Sequence, residues 1–345
     1  MDSLLEIGQL YGLDIISFEK IDIGHINNTF KVSSGNINYI LQRINPDVFT
    51  FADRIVHNET LLRNHLAKFN MEHFLVPIFK SPNGELFVQH GGAFWRLTSF
   101  IEGVHSPLFI ANEKIAFNLG KKIAEFHNLT ENAKVSAFKD VIPDFHNLSS
   151  RYKQYKIALD SINYKQPPFI EIILHQINDY KWLVKWFVEL KKGKELKLRV
   201  CHNDTKISNT LVNNLTGEIE YLIDLDTVMP GYAFYDIGDA VRAGCSKSDE
   251  SEIDSEKVIF ESKLFHSILE GYFPLVSTRN KEFANELMIK GSMIMLYMQA
   301  LRFMTDHILG NKYFHVKFEG QNAIRARNQL ILLRQLNDYS KLLKI

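Results

Sequence analysis

The chain has 345 residues, 46% of them hydrophobic, and 40 basic side chains balance 40 acidic ones. High apolar content with zero net charge excludes a mainly disordered chain and leaves room for two domains or one large folded unit. The neutral balance also argues against a broad nucleic-acid-binding face, which needs excess positive charge.

In chain order, Phe18 to Ile23 predicts a short strand ending at Gly24. Thr29 to Val32 resumes it after the polar loop Gly24-His25-Ile26-Asn27-Asn28, and Ser33 to Asn36 is a turn signal. Ile37 to Ile44 is the next strand, stopped by Asn45-Pro46. Ile55, Leu62 and Leu66 at helical spacing predict a helix from about Asp53 to Phe69. Strands follow at Val76 to Lys80, Leu86 to Gln89 and Ala93 to Ile101. The short turns between them imply an antiparallel sheet.

After Glu102-Gly103 the texture changes. Ile115, Leu119, Ile123 and Phe126 predict an amphipathic helix. Residues 146 to 192 read as helical, broken at Pro167-Pro168. Alternation returns from Leu196 to Leu225, and residues 255 to 345 read as helices. The fold class expected is α+β: a small antiparallel β-rich lobe, residues 1–101, and a larger mainly helical lobe, residues 102–345.

Two cysteines, Cys201 and Cys245, cannot staple a chain this long. The first residues carry acids where a signal peptide carries Lys or Arg, and Met293 to Met304 reads as a buried helix rather than a membrane span. The expected setting is cytoplasmic, with a small-molecule partner, no nucleic acid and no membrane, as a monomer or weak homodimer.

The chemistry concentrates in His202-Asn203-Asp204-Thr205-Lys206-Ile207-Ser208-Asn209, followed by two strands reaching Asp224-Leu225-Asp226. A hairpin here returns Asp224 to Asp204 and Asn209. Strand alternation would set Asp224 and Asp226 on one face, with Ile223 and Leu225 toward the core. Phosphoryl transfer from a nucleotide needs such a set, because its loose transition state is stabilised mainly by positioning and charge. Asn209, Asp224 and Asp226 are candidate Mg²⁺ ligands, Asp204 a candidate base and Lys206 a candidate phosphate-neutralising cation. The spacing Asp, Lys at +2, Asn at +5 and a later acid is that of a kinase catalytic loop.

These residues resemble the aminoglycoside phosphotransferase and choline kinase superfamily. Gly24 to Thr29, Tyr39 to Asn45, Phe100 to Gly103, Asp224 to Gly231 and Arg302 to Asp306 with Tyr313-Phe314 are similar to its N-acetylhexosamine 1-kinase branch. The resemblance implies a bilobal protein-kinase-like fold that uses ATP and Mg²⁺ to phosphorylate a small hydroxyl acceptor, an amino sugar in that branch. It also implies a nucleotide loop using Asn27, Asn28 and Thr29, and a hinge at Ser99, Phe100 and Ile101 that meets the adenine. Arg43 stands at the phosphate-pairing position, with Gln42 as the alternative on the other strand face. Glu59 is its candidate partner, or else a solvated helix acid. Arg302 and Tyr313, with Asp204, are implied to hold the sugar, while an internal ion pair of Arg302 with Asp306 is the bland alternative. Asp236 and Asp239 are expected to brace the loop, and His202 to orient it.

Overall fold

The computed structural model describes residues 2–21, 27–162, 167–193, 196–276 and 281–342. The N-terminal part contains α1 (Asp2–Leu10), β1 (Ser17–Ile21), β2 (Asn28–Ser34), β3 (Ile37–Arg43), α2 (Ala52–Ala67), β4 (Ile78–Phe79), β5 (Phe87–His90) and β6 (Ala93–Ser99). Its strands form one six-stranded antiparallel sheet in the order β1-β2-β3-β6-β4, with β5 also paired to β6.

Alternation gives this sheet two different faces. Val32, Tyr39, Leu41, Trp95 and Leu97 pack on Leu4 and Ile7 of α1 and on Tyr11 just after it. That helix is absent from the sequence reading, which treats this region as mostly strand. The opposite face carries Thr29, Gln42 and Arg96, cross-strand neighbours in register, toward α2.

The C-terminal part contains β7 (Val104–His105), α3 (Glu113–Leu129), α4 (Leu148–Asp160), α5 (Pro168–Asp179), α6 (Trp182–Lys192), β8 (Arg199–Cys201), β9 (Thr210–Asn213), β10 (Ile219–Leu222) and β11 (Met229–Gly231). Four more helices follow: α7 (Ala233–Gly244), α8 (Ser262–Tyr272), α9 (Lys281–Ile308) and α10 (Gln321–Leu342). Asn112 caps α3 by accepting from the Ile115 amide at 3.0 Å. Pro168 occupies the first turn of α5, where its missing N–H costs nothing. The chain is therefore α+β, with an antiparallel N-terminal sheet and a mainly helical remainder.

The main core lies among α3 and α7 to α10. Residues 293–304 fall inside the 28-residue α9, and no helix among the described residues is long and apolar enough to cross a membrane. Helices α3 and α8 approach closely at a pair of glycines. A Cβ on Gly120 would lie 1.9 Å from the Ile268 carbonyl oxygen, and one on Gly271 would lie 2.0 Å from that of Phe117.

Two small sheets position the segment His202–Asn209. Strands β9 and β10 form the expected hairpin, extended by β7. Strand β8 pairs with β11, so Cys201 opposes Met229 and the loop after β8 lies beside residues 224–228.

Candidate active site

The loop from His202 to Asn209 is fixed from beneath by Asp236 of α7. This carboxylate is fully buried and accepts from the backbone N–H groups of His202 at 2.9 Å and Asn203 at 2.7 Å. His127 donates a third hydrogen bond to it at 2.9 Å, and Tyr272 completes the chain by donating to the other imidazole nitrogen at 2.9 Å. Burial lowers the His127 pKa, which favours the neutral imidazole this chain needs. Burial alone would raise the Asp236 pKa, but the His127 hydrogen bond and the neighbouring imidazoles outweigh it and keep the group ionised. Asp236 thus braces the loop, as expected from its sequence position.

His127, Cys201 and Asp236 lie together like a metal-ligand set. Their chemistry opposes that use. The Asp236 oxygens already take three hydrogen bonds, and burial pushes the Cys201 thiol well above its ordinary pKa, so it stays protonated.

Asn203 sits at φ 66°, in the left-handed region that Asn tolerates better than most residues. Its amide donates to the carbonyls of Cys201 at 3.1 Å and Thr227 at 3.0 Å. Gly231 allows this approach, since a Cβ there would stand 2.8 Å from Asn203 Oδ1.

The turn at Asn203 presents Asp204, which is partly buried. Lys206 Nζ donates to its Oδ2 at 3.1 Å, and Asn209 Nδ2 donates to the same oxygen at 2.7 Å. Burial opposes the ionised form of Asp204, but the adjacent Lys206 charge prevails and holds its pKa below the ordinary value. The same pair raises the Lys206 pKa. A carboxylate and an ammonium are thus kept in their charged forms side by side.

Asp224 arrives by two backbone contacts. The Ile223 N–H donates to the Asn209 carbonyl at 2.9 Å, and His202 Nε2 donates to the Ile223 carbonyl at 3.0 Å. Asp224 itself is left-handed, at φ 60° and ψ 59°, and begins a 3₁₀ turn over Leu225–Thr227. Burial, then the charges of Asp226 and Asp204, raise its pKa to about 6. Among the described residues no side chain donates a hydrogen bond to its carboxylate.

This turn overturns the strand reading of 223–226. Asp224 and Asp226 do not share a face by alternation. Asp226 is 1% exposed and turns to the N-terminal sheet, where Arg96 Nη1 donates to its Oδ1 at 2.6 Å and Asn27 Nδ2 to its Oδ2 at 2.5 Å. Each of its carboxylate oxygens already accepts one donor from the N-terminal part, while its charge still acts on Asp224.

The same neighbourhood corrects Arg43. It opposes Asn28 and Trp95 in register, and so shares the pleat face packed on α1. The exposed Asn28 lies on that face too. Glu59 is buried, not solvated, and binds Arg96 at 2.9 Å and Arg63 at 2.7 Å rather than Arg43. Burial disfavours ionised Glu59, but these guanidinium groups overcome that and lower its pKa. Gln42, the alternative, faces Arg96 and accepts from its Nε at 2.9 Å and Nη2 at 2.5 Å. Thr29 accepts from Gln42 Nε2 at 3.1 Å. Arg96 was the missed residue. Its signal was a charge in a predicted strand among Phe94, Trp95 and Leu97.

At the hinge, the N–H groups of Ser99 and Phe100 already donate to the carbonyls of Pro77 and Asn38. Lys31 lies 4.2 Å from the Phe100 ring centroid. Ile101 follows directly.

Arg302 on α9 is surrounded by rings: Phe314 at 5.3 Å, Phe145 at 5.4 Å and Tyr313 at 5.7 Å from its guanidinium. The pair with Asp306 does not form. Asp306 instead accepts from the Tyr313 and Phe314 N–H groups at 2.8 and 2.9 Å, fixing the segment after α9. Among the described residues Arg302 has no carboxylate within ion-pair distance, and burial lowers its pKa. His146 links this group to the loop: its Nε2 donates to the Asn203 carbonyl at 2.8 Å, and its ring packs 4.2 Å from that of Phe145. Arg151 is a further cation close by, its pKa pushed down to about 10 by burial and by Arg302. Asp239 pairs with Arg242 at 2.8 Å rather than with the loop backbone.

Residues 17–260 match the phosphotransferase enzyme family. Solved structures with the same fold include a spectinomycin phosphotransferase in complex with ADP and spectinomycin. It is 15% identical, with TM-score 0.60, covering 97% of this chain and 98% of that one. An ethanolamine kinase from Plasmodium vivax is 16% identical, with TM-score 0.59 and coverage of 93% and 83%. A choline kinase from Cryptosporidium parvum is 17% identical, with TM-score 0.58 and coverage of 94% and 90%. The family match spans most of the chain and includes the loop, the hairpin and the acids built above; this chain belongs to the phosphotransferase enzyme family, whose members phosphorylate hydroxyl groups.

Proposed function

We propose that this phosphotransferase moves the γ-phosphoryl group of ATP to the anomeric hydroxyl of an N-acetylhexosamine, giving the sugar 1-phosphate and ADP. The observation that carries the phosphoryl-transfer reading is the cluster of Asp204, Lys206, Asn209 and Asp224. It holds an ionised base, a cation and two oxygen-bearing side chains in one place. In this reading Asp204 orients the acceptor hydroxyl and takes its proton as the O–P bond forms and the bond to ADP breaks. Lys206 offsets negative charge on the migrating group.

The donor set fits Mg²⁺. Asn209 Oδ1 and the Asp224 carboxylate are hard oxygen ligands, and crowding of Asp224 by Asp226 and Asp204 favours a cation there. The ion, when bound, neutralises phosphate charge. We assign residues 1–101 to the nucleotide and 102–345 to metal and acceptor. The Thr29 hydroxyl serves the phosphate side, and the backbone of 99–101 meets the adenine; the buried Asn27 and Arg96, engaged by Asp226, Glu59 and Gln42, are given no contact with the nucleotide. Arg43, Asn28 and Asp226 are given no ligand role. Two buried free cysteines suit a cytoplasmic setting.

Arg302, with its rings and without a carboxylate, supports a neutral acceptor rich in hydroxyl and carbonyl oxygens. A cationic acceptor such as choline or an aminoglycoside would want an acidic or aromatic pocket free of other cations, and here the Arg302 guanidinium already occupies the rings. We expect Arg302→Ala to raise the acceptor KM about tenfold or more, as for a lost charged hydrogen bond, with the KM for ATP unchanged. Steady-state kinetics in each substrate check this. The reading itself is tested by following ADP release with ATP, Mg²⁺ and a panel of N-acetylglucosamine, N-acetylgalactosamine, other sugars, choline, ethanolamine and aminoglycosides. Preference for a cationic acceptor would contradict it.

The metal assignment has a pH signature. Folded Asp224 keeps its proton up to about pH 6, whereas an unfolded aspartate releases it near about 3.9. Folding therefore carries a penalty that is absent below the unfolded value and complete above the folded one. A bound cation removes that penalty. Thermal melts should show Mg²⁺ stabilising the protein at pH 7.5 and scarcely at pH 5. Equal stabilisation at both would remove Asp224 from the site.

A further inference from the structure

Asp226 lies two residues past Asp224, yet its partners are remote in sequence, Arg96 by 130 residues and Asn27 by 199. Asn27 stands at the end of the nucleotide loop, and its Oδ1 accepts from the Asn45 N–H at 3.0 Å, just past β3. Arg96 reaches three side chains at once. Nη1 donates to Asp226 and to Glu59 of α2, while Nε and Nη2 donate to Gln42 of β3. One guanidinium therefore ties β3, β6 and α2 to the turn that carries Asp224, and Asp226 ties that turn to the nucleotide loop.

We propose that Arg96 is a positioning residue for magnesium-nucleotide binding, which acts through Asp226 to fix the Asp224 turn against the nucleotide loop. Two features support this. Asp224 is a non-glycine residue in the left-handed region, a conformation that persists only where its surroundings hold it. Asp226, in the middle of the 3₁₀ turn that follows, is the buried anchor. Buried ion pairs seldom add net stability over apolar packing, so a pair joining two separate elements suits the fixing of geometry better than stabilisation. Arginine is needed because its planar fork presents several donors in set directions, which a lysine ammonium does not.

The inference rests on the nucleotide reading above. Its test is ADP affinity measured by calorimetry, with and without Mg²⁺, for the wild-type chain, Arg96→Lys and Asn27→Ala. Wild type should bind ADP more tightly with Mg²⁺. In Arg96→Lys that tightening should shrink by about tenfold, the usual scale for losing a residue that supports a metal ligand, while the Mg²⁺-free affinity stays within about twofold. Asn27→Ala should change in the same direction by a smaller factor. It removes no charge and no apolar packing, so it decides the matter if Arg96→Lys fails to fold. Wild-type tightening retained by the variants, or an equal loss of affinity with and without Mg²⁺, would overturn the inference. A wild-type chain that binds no ADP in either condition overturns the nucleotide reading itself, and this inference with it.

Discussion

Asp204→Asn is expected to lower kcat by about 10²- to 10⁴-fold, the range for loss of a general base, with ADP affinity and thermal stability little changed. The substitution keeps an oxygen that can accept from Asn209 and Lys206, which now donate to Oδ2 at 2.7 and 3.1 Å. It removes the negative charge to which we assign the acceptor proton. Geometry is retained and proton transfer is lost, so the defect belongs in kcat rather than in binding. Stopped-flow or coupled-assay rates at saturating substrates check this. An unchanged kcat would remove Asp204 from the role of base.

Asp236→Ala is expected to damage the fold most. The carboxylate is fully buried and takes hydrogen bonds from two consecutive backbone N–H groups and from His127. Truncation leaves those donors without partners in a site closed to water, and His127 keeps only its bond with Tyr272. Each buried donor left without a partner costs about 1–3 kcal/mol, so losing the acceptor of three should cost about 3 kcal/mol or more. Urea unfolding should show that loss, and hydrogen exchange at His202 and Asn203 should accelerate before global unfolding. A loss below about 1 kcal/mol, within the range of ordinary surface changes, would mean that the loop is held by other contacts.

Much of this site is legible in one dimension, because its chemistry is local. Asp204, Lys206 and Asn209 lie within six residues, and the hairpin that returns Asp224 has its own turn signal at residues 213–217. The turn at Asp224 itself is not legible. Nothing in Ile223-Asp224-Leu225-Asp226 distinguishes strand from a left-handed residue, because the ion pair that draws Asp226 away comes from Arg96 and Asn27, far off in the chain.

Arg43 is a different matter, since parity already held the answer. Tyr39, Leu41 and Arg43 share one strand face, and the first two are apolar and buried against α1. The charge facing Glu59 had to come from another strand, and Arg96 was the buried candidate. Helix α1 was missed because it is nine residues long and its buried apolar residues, Leu4 and Ile7, span one turn, too short a window for periodicity to declare itself. The side we assign to the acceptor is the least legible. Phe145, His146, Arg302 and Tyr313 come from separate segments and meet only through tertiary packing.

The central claim is a phosphoryl group placed on the anomeric oxygen by the Asp204 site. Phosphorus NMR of the product formed from ATP, Mg²⁺ and N-acetylglucosamine or N-acetylgalactosamine tests it most directly. The account predicts a sugar 1-phosphate resonance that grows in step with ADP and is all but lost with Asp204→Asn. Phosphate on a different hydroxyl, or a phosphate ester formed only from choline, ethanolamine or an aminoglycoside, would contradict it.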